Sequence, residues 1–390
     1  MIPLSYNIRS IIVRRTTSAA AVIGIALVVF VLASTLMLSA GIQETLARGG
    51  GRDTAIVIRK GSDNELSSII DQAKVGTILA APGVKKASDG QPLGTGDVAM
   101  IIMLEPVSAP GGLSNVQMRG VAFDSLSVVR PRVKVLEGRL PQPGSDEALV
   151  GRAIAGRFQN LALGDSFEPK KNRPLKVVGV FSDGGSAWES EVWTDIDTMR
   201  SAFGRQGMVS SVRVNLASAE DFEQFEANIE ADKRLGLEAM TDDQWTSKQS
   251  NGLMTFVTIL GGLTSVFFAV GAMIGAMITM YASIANRQKE IGTLRAIGFR
   301  RRHVLLSFVL ESVLIALIGG VLGSIAALFM TTQEFRMLNF ATFSEMVYRF
   351  QPTVQVFVIS FLFAGTMGLV GGLLPAIRAA RMPPVEAMRN

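Results

Sequence analysis

"NRQKEIGTLRAIGFRRRH", Asn286 to His303, holds six arginine or lysine residues, one acid and the single histidine of the chain. It lies between two long apolar runs, Leu253–Ala285 and Val304–Met330. Runs of about 18 or more apolar residues are long enough to cross a bilayer as helices. Two further runs qualify, Ala19–Ala40 and Thr353–Leu374. The charged segment is then a connection held at one membrane surface. The chain is expected to be an α-helical membrane protein with four transmembrane helices, plus an extracytoplasmic α+β domain inserted between the first and second.

Composition agrees. The 390 residues are 48% hydrophobic with a mean hydropathy of +0.34, and the excess is confined to the four runs. Residues 49–243 have ordinary soluble composition and enough length for one or two small domains. Cysteine is absent, so disulfides, thiol nucleophiles and cysteine-ligated metals are excluded. One histidine disfavours histidine relays and histidine-rich metal sites, and no catalytic or metal site is expected. Arg9, Arg14 and Arg15 resemble the basic start of a signal peptide. The run that follows exceeds the roughly 7–15 residues of a signal core, so it reads as a retained anchor.

Charge sets the orientation. Basic residues near span ends mark the cytoplasmic side. The N-terminal flank, the 286–303 connection and the tail together carry twelve basic against two acidic residues. The third-to-fourth connection is neutral, and the large domain is net negative. Both termini and residues 286–303 are therefore expected in the cytoplasm, with the large domain outside. The positive charge is split among membrane flanks, which argues against nucleic acid as a partner.

Residues 1–17 read as a cytoplasmic amphipathic helix or a plain basic flank. The first span, 18–48, continues past the apolar run until Gly49–Gly51 break it. Residues 244–285 are also too long for the bilayer, and Thr255, Thr258, Thr264 and Ser265 occupy their outer half. Two helices projecting as a stalk are expected. Strands are expected at 54–60, 98–104, 116–122, 175–182, 190–194 and 210–216, with helices at 65–75, 151–159, 195–204 and 218–231. A separate insert is expected at about 80–140. Asp183-Gly184-Gly185-Ser186, near Trp188 and Glu189, reads as a glycine turn rather than a site. Residues 331–352 read as an extracytoplasmic loop, 353–374 as the fourth span and 375–390 as a cytoplasmic tail. The sequence contains no Walker A pattern.

Within the spans, small residues allow close helix packing. Gly271 and Gly275, Gly319 and Gly323, and Gly368 and Gly372 are the candidate pairs. They would serve packing within the chain and against a second subunit. Glu311 is the one charge well inside a span, about 11 Å along its helix from Val304. It is either functional or paired with a hydroxyl or interfacial arginine. Ile291, Leu294, Ile297 and Gly298 form an apolar stripe on a short helix that Gly298 ends. A stripe beyond what topology needs calls for a surface that buries it.

"NRQKEIGTLRAIGFRRRHVLLSFVLESVLIALIGGVLGSIAA" and the tail "GLLPAIRAARMPPVEAMRN" resemble the MacB/FtsX-type ABC transporter permeases, the mechanotransmission class. "EALVGRAIAGRF", "LGDSF" and "LKVVGVF" resemble the periplasmic core of that family. The resemblance implies that 286–303 is a coupling helix docking on ABC ATPase subunits through Glu290, Ile291, Leu294, Arg295 and Gly298. Glu311 matches the family's intramembrane acid, and Pro375, Arg378, Pro384 and Glu386 match its tail. Asn286 departs from the acid frequent at its position. The resemblance implies no enzyme activity in this chain, with ATP and Mg bound by an ATPase on a separate chain. It also implies a second permease subunit, identical or not, in a bacterial inner membrane, with membrane lipid around it and a periplasmic adaptor as a further partner. Export of a periplasmic substrate is the implied function. Extraction of lipoproteins or lipids, force transmission to a cell-wall hydrolase, and a receptor without an ATPase are the alternatives.

Overall fold

The computed structural model describes residues 4–49, 51, 53–339 and 342–383. The chain opens with α1 (Leu4–Val13) and α2 (Arg15–Ala47), then β1 (Thr54–Arg59), β2 (Ile70–Asp71) and α3 (Gln72–Leu79). Next come β3 (Gly94–Leu104), β4 (Ser114–Val121), the single turn α4 (Leu126–Val129), β5 (Lys134–Gly138) and β6 (Glu147–Gly151). They are followed by β7 (Ser166–Lys170), β8 (Arg173–Ser182), β9 (Glu191–Asp195), α5 (Ile196–Phe203) and β10 (Met208–Val209). β11 (Ser211–Asn215), α6 (Phe222–Ala231) and β12 (Leu237–Thr241) lead into α7 (Asp242–Ala285) and α8 (Gln288–Ala296). The chain finishes with α9 (Arg301–Leu328), β13 (Glu334–Leu338), β14 (Glu345–Arg349) and α10 (Val354–Arg381).

Two compact units result. One comprises residues 1–41, 255–333 and 350–390, the other 42–254 and 334–349. Among the described residues, four helices are long and apolar enough to cross a membrane: Arg15–Ala47, Asp242–Ala285, Arg301–Thr332 and Val354–Arg381. α7, at 44 residues, is about 66 Å long, twice a hydrocarbon core of about 30 Å. α2 and α7 are unbroken and contribute residues to both units.

In the helical unit, α9 is the packing hub. A Cβ on Gly319 would lie 2.9 Å from the Val22 carbonyl of α2, and one on Gly323 would overlap the Ala26 carbonyl. On its other face α9 meets α10. A Cβ on Gly368 would lie 2.6 Å from that of Ala316, and one on Gly372 would overlap Ser312. The Ser312 hydroxyl donates to the Gly368 carbonyl at 2.8 Å. These four glycines set the close approach that small residues permit. Gly271 and Gly275 do not: nothing lies within 4 Å of a Cβ built on either. α7 instead meets α2 through Gly261, whose Cβ would overlap Thr35.

The second unit is built on one mixed sheet, in the order β12-β1-β11-β3-β4-β9-β6-β8-β5, with β7 also paired to β8. Four hydrophobic clusters lie in this unit among the described residues, two of them large. Ala55, Val57, Ile78, Val212, Phe225 and Ile229 belong to one large cluster. Val98, Met118, Val150, Phe158, Val177 and Val192 belong to the other. The division thus runs between residues 84 and 98 and again between 199 and 209. β3 and β4, which fall in the expected 80–140 insert, are central strands of the sheet.

One expected helix is displaced and another is replaced by turns. Residues 65–71 are turn and strand, and α3 starts only at Gln72, where the Asp71 carboxylate accepts from the Ala73 amide at 2.9 Å. Residues 151–159 form turns that bury Ile154 and Phe158. The left-handed Gly156 (φ 67°) and Asn160 (φ 59°) prevent a helix there. The expected loop at 331–352 contains a β-hairpin, β13 paired antiparallel with β14.

Candidate functional site

α8 begins after Arg287 and ends where Gly298 turns left-handed at φ 108°. The apolar stripe is divided between inside and outside. Ile291 is buried among Met280, Ile284, Val304, Phe308, Ala376 and Ala379, so it fastens α8 to the helical unit and is withdrawn from any docking face. Leu294 is half-buried, and Ile297 is 72% exposed. Arg295 also turns inward, donating to the Ala380 carbonyl of α10 at 3.4 Å. A cation beside the last carbonyls of a helix is favoured by the helix dipole. Glu290 stays exposed while accepting from Arg287 at 2.8 Å. Of the five expected docking residues, Glu290, Leu294 and Gly298 present surface, whereas Ile291 and Arg295 face other helices of the same chain.

Glu311 is the structural centre of this region. It is buried on α9 and takes partners from two other segments. Its Oε1 accepts from Arg14 at 2.9 Å and from the Ser10 hydroxyl at 3.0 Å. Its Oε2 accepts from Arg287 at 3.2 Å. Arg287 also donates to Ser10 at 3.0 Å and lies 5.3 Å from the Phe308 ring centre. A carboxylate out of water requires such partners. The paired alternative therefore describes Glu311, and it joins α1, the start of α8 and α9. The sequence reading named a hydroxyl or an interfacial arginine as the kind of partner but not the residues, which are Ser10, Arg14 and Arg287. The available signal was the presence of arginines at both flanks of a lone intramembrane acid.

In the tail, Pro375 is buried inside α10, and Arg378 lies 5.6 Å from the Tyr281 ring centre on α7. Pro384 and Glu386 lie outside the described residues.

The sheet-containing unit has its own charge cluster, which the sequence reading also missed. Arg119, 1% exposed, donates to Glu65 (2.8 and 3.0 Å), Glu191 (2.7 and 2.9 Å) and Asp97 (3.3 Å). Arg130 pairs with Asp97 as well. Burial would push the Glu65 carboxyl up, but Arg119 outweighs it and holds Glu65 well below the usual carboxylate range. Burial lowers the Arg130 guanidinium despite Asp97. Trp193 donates to Glu191 at 2.7 Å, and a cavity of about 60 Å³ lies beside the cluster, lined by Trp188, Trp245 and Met346 among others. These carboxylates are committed to arginines, which suits a rigid core rather than acid–base chemistry.

The β13–β14 hairpin docks on the same unit. Glu345 accepts from Ser114 at 2.8 Å and pairs with Arg157. The Val347 amide donates to the Ser190 hydroxyl at 3.2 Å. Tyr348 is fully buried, and burial pushes its phenol above the usual range. The Asp183-to-Ser186 turn is organised by Glu189, which accepts from Ser182 (2.6 Å) and from the Asp183 and Gly185 amides (both 2.8 Å). Left-handed Gly184 and Gly185 make that wrap possible.

Residues 16–232 match the MacB-like periplasmic core domain, and residues 262–384 match the FtsX-like permease C-terminal domain. The chain belongs to the MacB/FtsX-type ABC transporter permeases. It is 24% identical to an uncharacterized ABC transporter permease of Methanocaldococcus jannaschii, over 99% of this chain and 97% of that one. It is 31% identical to the macrolide export ATP-binding/permease protein MacB of Escherichia coli, over 56% of this chain and 34% of MacB. It therefore spans about a third of MacB's length. Among solved structures, the periplasmic region of MacB from Actinobacillus actinomycetemcomitans aligns with 50% of this chain and 92% of its own, at 15% identity and a TM-score of 0.36. The extracellular domain of the transporter YknZ from Gram-positive bacteria aligns with 48% of this chain and 100% of its own, at 16% identity and the same TM-score.

Proposed function

We propose that this permease carries ATPase-driven motion across a bacterial inner membrane to its periplasmic domain, driving export of a periplasmic substrate. The observation that carries this is the anchoring of α8. Glu311 grips Arg287 at its start, Ile291 fills the helix core, and Arg295 holds the end of α10. A push on α8 then moves α9 and α10 with it, because packed interiors transmit displacement rather than absorb it. Leu294 and Ile297 form the surface for a separate ATPase chain, which would bind ATP and Mg; this chain has no catalytic role. Two permease subunits pair in the assembly, with Gly271 and Gly275 free to face the second. An adaptor outside would receive the substrate. The basic flanks and both termini face the cytoplasm.

The test is co-purification of the full chain with candidate ABC ATPases. Ile297→Asp alters an exposed side chain and should cost little stability, yet reduce recovery of the ATPase at least about tenfold. Membrane insertion should be unchanged. Undiminished recovery for both Ile297→Asp and Leu294→Asp would remove α8 as the coupling surface.

A further inference from the structure

A cleft of about 350 Å³ opens in the helical unit between α1 and the start of α8, lined by Arg9, Val13, Arg14, Asn286, Arg287 and Glu290 among others. Its size falls in the range of small-molecule sites. We infer that this cleft binds the phosphodiester headgroup of an anionic phospholipid from the leaflet that the basic flanks face.

Charge is the first reason. Arg9, Arg14 and Arg287 bring three positive charges to the cleft, against Glu290 and the Glu311 carboxylate behind it. Counted over these described residues, the excess is one positive charge, which a phosphodiester's single negative charge neutralises. The compensation is also unequal in depth. Arg14 and Arg287 are 21% and 8% exposed at the side chain, while Glu290 is 59% exposed and screened by water. Two arginines are thus drawn together by one buried carboxylate, with the exposed Arg9 at the rim.

Geometry is the second reason. Ile12 and Val13, next to these arginines, are 55% and 74% exposed. Apolar side chains bared beside a basic cleft suit the boundary between headgroups and acyl chains. Val13 supplies a wall for the glycerol and upper chain, and the guanidiniums supply donors for phosphate oxygens. Bound there, the lipid would brace α1 against the root of α8. The inference concerns binding alone, so it stands or falls independently of ATPase coupling.

The test uses full-length chain in detergent, supplemented with phosphatidylglycerol or phosphatidylcholine and read by native mass spectrometry. Phosphatidylglycerol should be retained selectively. Arg9→Gln should lower its retention about fivefold, the effect of one basic charge near a lipid surface. Arg15→Gln, an exposed arginine that does not line the cleft, should leave it unchanged. Equal retention of both lipids, or equal loss in both variants, overturns the site. Displacement of phosphatidylglycerol by millimolar inorganic phosphate would assign the cleft to a soluble anion and overturn the lipid.

Discussion

The two units bury charge in opposite arrangements. In the helical unit one carboxylate, Glu311, is shared by two arginines. In the sheet unit one guanidinium, Arg119, is shared by three carboxylates. The helical cluster joins three helices, and Arg14 keeps partial access to water. The sheet cluster is almost fully buried, linking β4 and β9 to Glu65 and to Asp97 of β3. The difference matches the proposed work. A joint that transmits motion must tolerate small shifts, and partial hydration lowers their cost. A headpiece that receives motion must stay rigid, and a buried multivalent ion cluster has few alternative geometries.

The harshest way to break this comparison is Arg119→Met. Three buried carboxylates would lose their shared cation, and removing one side of a buried pair costs about 3–5 kcal/mol. The sheet unit should fail to fold or melt far lower, read by tryptophan fluorescence, since all three tryptophans lie in that unit. A wild-type melting curve would refute the idea that this buried cluster holds the unit together. Glu311→Gln comes next, at about 1–3 kcal/mol, because the amide keeps one acceptor and Arg14 can turn to water. Thermal stability in detergent should fall modestly, while ATP-driven activity with its partner falls further. Equal and slight effects on both would reduce Glu311 to packing.

Tyr348 sharpens the contrast with a buried neutral group. Its phenol is held above the ordinary value, so above about pH 10 the unfolded chain ionises while the folded chain keeps its proton. Stability then falls as pH rises, by at most about 1.4 kcal/mol per pH unit. Tyr348→Phe should flatten this alkaline slope in a pH series of melting temperatures. An unchanged slope would show that the hairpin is not sealed as described.

Much of the helical unit was legible from residue type and spacing. Gly319, Gly323, Gly368 and Gly372 all meet a neighbouring helix, yet among the described residues no neighbouring atom comes within 4 Å of a Cβ built on Gly271 or Gly275, which have the same spacing. Spacing places small residues on one face but does not say what lies opposite. The stripe on α8 shows the same limit. Periodicity marked Ile291 and Leu294 alike, but Ile291 fills the chain's own core. In the sheet unit, β12 escaped notice because Leu237–Thr241 is short and partly polar, and it is defined by its pairing with β1.

The sequence by itself determined the number of apolar spans, the basic character of one set of connections, the α+β nature of the intervening region and the family motifs. All of these are local patterns of hydropathy, charge and residue order. The tertiary structure alone decided that Glu311 is satisfied from 297 residues away by Arg14, that Arg119 gathers acids from three segments, and that the hairpin between α9 and α10 belongs to the sheet unit. Such pairings depend on which surfaces the fold brings within about 3 Å, a long-range outcome that no window of neighbouring residues encodes.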